Sequence, residues 1–480
     1  MIKVIGLTGI DEKVLKVFGD LAVEKSLARL EIVSRLPRFI AEYLISKYYQ
    51  KDPKNWMTRV IEIVNEYFPD PREKDKILSK AKREGKITLI DEYKVYVSLK
   101  RNMYYLQIPN LQINDALVSD AIVSRYERIL SGLWGIGTLE YRPELLENPL
   151  TGKNNTHFTP LVLVDFAPFQ VYNIDPKIFV EERSKFTTEE WISFLIKSIG
   201  LNPNVYSKRQ KILLLFRIVP LVEGNVNLLE LGPRATGKTY LYRNISYYTR
   251  IYAGGTVSAA RLIYDARMGV LGDIGTRDVV IFDEIAKVKF TNPDEIVSKL
   301  KDYMVDGFFE RGQLKRAHSD CSLVFIGNIE MEENRILGDV KDYLPNFMKD
   351  TAFLDRIHGL LPGWELPKIL KSETHLAKGY GLAADALSEL FHRLRTYSLE
   401  ALVNDHIELV GNYTIRDEKA VRKLLSGIIK LVFPNGEFNK TELQEIANVA
   451  AELRQSIANV LTEMAPYEFP KKGLSVKVRG

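Results

Sequence analysis

The chain has 480 residues, enough for about three domains at roughly 150 residues each. Hydrophobic residues at 46% and charged residues at 27% are the proportions of a folded globular protein and exclude a disordered, collagenous or low-complexity polymer. A formal net charge of +5 is too small a surplus to argue by itself for a polyanionic partner, and the single cysteine, Cys321, excludes an intrachain disulfide or a cysteine cage for a metal.

From Asp11 to Gly85 apolar residues recur at helical spacing, as in Leu36, Phe39, Ile40, Tyr43 and Leu44, so residues 1–85 are expected to form a helical N-terminal segment. Asp11, Lys13 and Lys16 interrupt the apolarity that a signal peptide needs, and no uncharged stretch approaches the roughly 20 residues of a membrane span. The expected place is the cytoplasm, with no membrane partner. The run Lys74, Lys76, Lys80, Lys82, Arg83 and Lys86, interrupted by Glu73, Asp75 and Glu84, suits either a solvated helix face or a phosphate-tracking surface. After Gly85 the period becomes two. The runs 87–90, 93–99, 104–108, 133–141 and 160–166 predict a small barrel or sandwich over residues 86–180, with an OB-like barrel one candidate and DNA its candidate ligand. Thr187 followed by Glu190 has the spacing of a capping box, and opens a helix that Gly200 and Pro203 end. Over residues 181–365 apolar strands (226–231, 279–282, 323–326) alternate with helical segments, which predicts an α/β core with a parallel sheet covered on both faces. Pro362 and Pro367 then break the chain, and residues 366–480 read as a helical lid and a short tail.

Gly232-Pro233-Arg234-Ala235-Thr236-Gly237-Lys238-Thr239 fits GxxxxGK[ST] between an apolar strand and a helical run, the Walker A arrangement. A glycine-bearing turn lets successive backbone N–H groups and a helix N-terminus surround a triphosphate, so ATP and Mg2+ are the expected ligands of these eight residues. Lys238 would reach the β and γ phosphates and Thr239 would hold the metal. The strand Val279-Val280-Ile281-Phe282 delivers Asp283 and Glu284 in the manner of Walker B, Asp283 toward the metal and Glu284 toward the attacking water. A further strand ends in Asn328, either a second holder of that water or an ordinary turn asparagine. In Leu354-Asp355-Arg356, Arg356 suits an arginine finger acting on a neighbouring subunit, or else a salt bridge with Asp355 or Glu365. Arg422 is a candidate to fold back over the phosphates, or an exposed helix arginine.

Walker A, Walker B, the strand-end asparagine, the Leu354-Asp355-Arg356 box and Ala420-Val421-Arg422-Lys423-Leu424, in this order, resemble the AAA+ ATPases, the last two being nearest to the ATPase module of Lon. The stretches Phe186-Thr187-Thr188-Glu189-Glu190-Trp191, Glu230-Leu231-Gly232-Pro233-Arg234, Gly254-Gly255, Phe282-Asp283-Glu284-Ile285, Phe325-Ile326-Gly327-Asn328, Pro362-Gly363-Trp364-Glu365 and Phe433-Pro434-Asn435-Gly436 resemble the BrxL family, Lon-like ATPases of BREX phage-defence systems, and span most of the chain. The resemblance implies an α/β AAA+ P-loop core with a helical lid, assembled into hexameric or stacked rings, with DNA and other BREX components as partners. Ala235 departs from it. The family usually has glycine there, and a left-handed backbone costs an alanine about 1 kcal/mol or more. Longer members continue into a Lon-like protease domain with a Ser-Lys pair; here Ser475 and Lys477 lie in a short tail and proteolysis is expected to be absent.

Residues 267–272 occupy the place of a Lon-type pore loop, or form an ordinary connection. Glu310-Arg311-Gly312-Gln313-Leu314-Lys315-Arg316 is similar to the presensor hairpin of MCM-type helicases, its cations Arg311, Lys315 and Arg316 touching DNA phosphates inside a pore or forming an exposed basic turn. Three functions stand: a ring ATPase that translocates on DNA, a protein-remodelling ATPase without protease activity, and a nucleotide-gated scaffold.

Overall fold

A computed structural model describes residues 9–29, 33, 36–52, 54–99, 101–146, 158–169, 174–267, 269–333 and 335–479. The chain divides into two compact units, residues 27–173 and residues 174–480 together with 1–26. The helical opening segment is therefore shared between units. Helix Gly9–Phe18 goes with the second, where Phe18 stacks on Phe194 at 4.9 Å and buried Asp11 pairs with Lys197 at 2.8 Å.

In residues 27–173 three helices, Arg38–Lys51, Trp56–Tyr67 and Lys74–Glu84, precede a closed barrel. The exposed cations of the third pair with nearby carboxylates, Lys76 with Glu73 at 2.7 Å and Arg83 with Glu84 at 3.2 Å, as on a solvated helix face. The barrel strands are β1 (Lys86–Ser98), β2 (Met103–Ile108), β3 (Ile113–Val118), β4 (Leu133–Tyr141) and β5 (Leu161–Pro168), closed in the order β1-β2-β3-β5-β4. Strands β3 and β5 run parallel and the other pairs antiparallel. The first two expected β runs are one strand: Lys86–Tyr93 pairs with β4 and Lys94–Ser98 with β2, so one long strand closes the barrel by serving both neighbours. Strand β3 was not expected, because Asn114 and Asp115 interrupt its apolar pattern. Buried Tyr93 fills the interior, and a Cβ on Gly137 would stand 2.6 Å from its ring, so glycine is required for closure.

The second unit is built on a parallel sheet of β6 (Asn227–Gly232), β7 (Thr249–Val257), β8 (Val279–Phe290), β9 (Ser322–Asn328) and β10 (Gly359–Pro362), in the order β10-β6-β9-β8-β7. Residues 279–282 and 323–326 are buried throughout, as a sheet covered on both faces requires, and the rings of Phe282 and Phe325 stack at 5.3 Å. The capping box is present: Thr187 Oγ1 accepts from Glu190 N at 3.2 Å and Glu190 Oε2 accepts from Thr187 N at 2.9 Å, opening the helix Thr188–Ser198. Two helices of the expected lid pack on the sheet's unit. Helix Lys440–Met464 buries Ile457, Val460 and Leu461 in the sheet's own core, and helix Ile415–Val432 lies so close to helix Lys208–Val222 that a Cβ on Gly427 would be 2.4 Å from Val219. Among the described residues no helix is long and apolar enough to cross a membrane.

Candidate functional site

Parallel pairing brings the C-terminal ends of β6, β8 and β9 to one edge, with Asn328 in register with Gly232. Between β6 and the helix Lys238–Ile245 the chain turns through left-handed Ala235 (φ 68°) and Gly237 (φ 76°), the latter capping the helix. Gly232 cannot carry a side chain, since its Cβ would stand 2.6 Å from the Gly363 backbone. Buried Lys238 donates from Nζ to the carbonyls of Gly232 at 2.8 Å and Pro233 at 2.7 Å, so the loop curls around its own ammonium group. Burial pushes that ammonium down from its ordinary value, against the pull of Glu230 and Asp283. An anion placed there would relieve this.

Thr239 Oγ1 donates to Asp283 Oδ2 at 2.6 Å, joining loop and acidic strand end. After Asp283 the register of β8 against β7 shifts, and Glu284 sits in the irregularity with φ 50°. Such a bulge re-aims a side chain, and a left-handed glutamate is strained. Its Oε2 accepts from Lys287 Nζ at 2.9 Å. Asn328 is exposed at the same edge, whereas Asp283 and Glu284 are half-buried. These oxygen and hydroxyl donors around a left-handed loop fit a hard cation bound with phosphate oxygens.

The loop is braced by a partnership that motif reading missed. Fully buried Arg217 pairs with fully buried Glu230 at 2.6 Å and donates to Thr236 O at 3.1 Å, holding the turn from beneath. The available signal was an arginine inside the apolar run 212–219. Arg209 similarly engages Glu365 at 2.6 Å.

Arg356 lies at the other edge of the sheet. Asn227, the first residue of β6, donates from Nδ2 to Arg356 O at 3.1 Å, and β6 separates it from Gly232 by about 17 Å at about 3.3 Å per residue. The carboxylates that would tie it down are engaged elsewhere, Asp355 by Arg454 and Arg416, Glu365 by Arg209. Burial, and then the Arg416 charge, push the Arg356 guanidinium down, and its Nε is buried without a partner. Arg422 is not over the Lys238 loop. It pairs with Glu418 at 2.9 Å and donates to Asn404 at 2.6 Å, beside Lys423, which donates to Gly224 O at 2.8 Å before β6 begins. Its helix crosses helix Lys208–Val222 near the strand-start edge, which carries Arg422 away from the loop.

The segment 308–318 is a β-hairpin turning at Gly312. Its cations differ. Arg311 donates to Tyr264 O at 2.6 Å and pairs with Glu295 at 3.2 Å, so it anchors the hairpin instead of facing a ligand. Arg316 lies 4.5 Å over the Phe308 ring, and both it and Lys315 are exposed. In the pore-loop candidate Tyr264–Asp265 pairs with Val270–Leu271, and Met268 lies outside the described residues.

The family model described as Lon-like protease BrxL-like, ATPase domain matches residues 161–475, and that of the BREX system Lon protease-like protein BrxL N-terminal matches residues 16–141. This chain belongs to the BrxL family. The Lon-like protease BrxL of Bacillus cereus (strain H3081.97) is 34% identical over 461 residues, covering 94% of this chain and 66% of that protein. The Lon-like protease BrxL of Escherichia coli O9:H4 (strain HS) is 32% identical over 460 residues, covering 94% and 64%. Uncharacterized protein 440 of Sulfolobus islandicus rod-shaped virus 1 is 22% identical over 339 residues, covering 61% and 74%. The chain thus spans slightly less than two thirds of the two BrxL relatives. The edge described above falls within the family's ATPase domain, and nucleotide use follows from that membership.

Proposed function

We propose that this chain is an AAA+ ATPase subunit that works in a closed ring and moves along DNA in BREX-type defence. The observation that carries the reading is the 2.6 Å contact of Thr239 with Asp283 beneath a left-handed loop that encloses Lys238. The strand order β10-β6-β9-β8-β7, with that loop after β6 and the acidic pair on β8, supports an AAA+ core. Thr239 and Asp283 are the residues that would hold Mg2+, whose chemistry is neutralisation of phosphate charge. Lys238 exchanges its loop carbonyls for phosphate oxygens, and backbone N–H groups of residues 234–239 receive the rest. Glu284 orients the attacking water and takes up its proton, and Asn328 holds that water from the next strand. Arg356 is out of reach of its own loop, so it stabilises transition-state charge in a neighbouring subunit.

DNA as the track is supported by the barrel's strand order, that of oligonucleotide-binding barrels, and by its β1–β2 surface. There exposed Tyr96 is backed at 5.2 Å by the buried ring of Tyr105, Arg101 lies 5.9 Å from the Tyr105 ring, and Leu99 is exposed. Exposed Lys315 and Arg316 supply contacts on the ATPase unit. Exposed Val270 and Leu271 in the other hairpin favour the second reading, a polypeptide-remodelling motor. Proteolysis is outside the proposal, since Ser475 and Lys477 are exposed and Ser475 Oγ donates to Val410 O at 3.3 Å. The test is ATP turnover measured with DNA and, separately, with unfolded protein. Stimulation by DNA alone is expected, stimulation by unfolded protein alone would transfer the assignment to the second reading, and equal turnover by Lys238→Ala and wild type would overturn the site.

A further inference from the structure

We propose that Arg454 is a positioning residue that sets Arg356 for the neighbouring subunit's nucleotide, an inference that rests on Arg356 acting in trans. Arg454 lies on helix Lys440–Met464 and is 1% exposed. One of its nitrogens, Nη1, donates to Asp355 O at 3.1 Å and Ile357 O at 2.6 Å, the carbonyls on either side of Arg356. Nη2 donates to Asp355 Oδ1 at 2.8 Å and Nε to Asp417 Oδ1 at 2.8 Å. With Asn227 on Arg356 O, the carbonyls of residues 355, 356 and 357 are all held, while the Arg356 side chain pairs with no carboxylate among the described residues. The backbone is clamped, and the half-buried guanidinium rests on its own chain, Nη1 donating to Ala352 O, with no carboxylate to release before it can turn to another partner.

The clamp is itself aimed. Asp417 also accepts from Lys472 Nζ at 2.7 Å and Thr414 N at 2.8 Å, and although burial would raise its carboxyl, Arg454, Lys472 and Thr414 outweigh burial and hold it down to about 2. A buried guanidinium is tolerated only with its donors met, and its planar fork can meet two carbonyls and two carboxylates where an ammonium cannot. A network that served only to hold the helix would not need to bracket one residue's peptide groups. A finger that must meet a transferring phosphoryl group on another subunit does, because a 1 Å misplacement can cost about 100-fold in rate.

The test uses the full chain, in rings shown to exchange subunits. Arg454→Lys keeps a cation between Asp355 and Asp417 but loses the fork. It is expected to bind ATP as wild type does, with unchanged KM, and to lose about 10- to 100-fold in kcat. Mixed with Lys238→Ala, which contributes an intact Arg356 and Arg454, it should recover turnover; mixed with Arg356→Ala it should not, since neither subunit supplies a set finger. Asp417→Asn, which leaves the fork but removes the carboxylate that aims it, should show the same donor-only defect in smaller degree. Normal kcat in Arg454→Lys, recovery with Arg356→Ala, or lost ATP binding with no recovery from Lys238→Ala would each overturn the role of Arg454. If instead Arg356→Ala mixed with Lys238→Ala fails to recover, the trans reading itself falls, and this inference with it.

Discussion

Ala235 holds a left-handed backbone, φ 68°, in the middle of the loop between β6 and the helix Lys238–Ile245. That conformation costs an alanine about 1–2 kcal/mol, of which the larger unfolded-state freedom of glycine takes back about 0.5–1 kcal/mol. Ala235→Gly should therefore stabilise the chain by up to about 1 kcal/mol, read as a higher denaturant midpoint at unchanged slope. A lower midpoint would mean that the loop is not strained there. Asp91 is the corresponding feature of the barrel. Burial pushes its carboxyl up from 3.8 to about 7; Oδ1 accepts from Glu92 N at 2.7 Å and Asn110 at 3.0 Å, and Oδ2 is buried without a partner. The folded barrel binds a proton that the unfolded chain has released, so its stability is highest below 3.8 as far as this group is concerned and falls as pH rises through about 7. Asp91→Asn should remove that fall and leave the barrel more stable than wild type at pH 8, measured by hydrogen exchange of barrel amides. Equal protection in both proteins at pH 8 would contradict it.

At the scale of elements, local signals were legible and distant partnerships were not. The glycine loop, the acidic strand end and the Thr187–Glu190 box are set by neighbours in the chain, and each folds where its spacing puts it. Strand β3 was hidden because Asn114 and Asp115 break its alternation. A helical period does not say what an apolar face packs on, and the faces of the last two long helices pack on the sheet's unit. The same blindness affected Arg422 and Arg311, whose charges are taken up by Glu418 and Glu295. The apolar run 212–219 marks Arg217 as a buried cation but not Glu230 as its partner, and nothing local marks the pairing of Arg454 with Asp417. The hairpin keeps exposed Lys315 and Arg316 as its DNA candidates. Lys315→Ala should retain basal turnover, lose much of the stimulation by DNA, and flatten the slope of log affinity against log salt by about 0.9 for each phosphate that is no longer neutralised. Full stimulation with an unchanged slope would make Lys315 a solvated turn residue.

At the scale of the molecule, the sheet separates the Lys238 loop and the acidic strand end from Arg356. Lys238, Asp283 and Glu284 stand at the ends of parallel strands, and Arg356 stands beside their beginnings, pinned there by Asn227. A strand's length is more than an arginine side chain can cross, so the reading requires a second copy of the chain to complete each site. The decisive measurement is ATP turnover by a mixture of Lys238→Ala and Arg356→Ala, each inactive alone, in rings shown to exchange subunits. Recovered turnover is the expected result, since some interfaces then join an intact Lys238 to an intact Arg356. A mixture as inactive as its components would contradict a shared site.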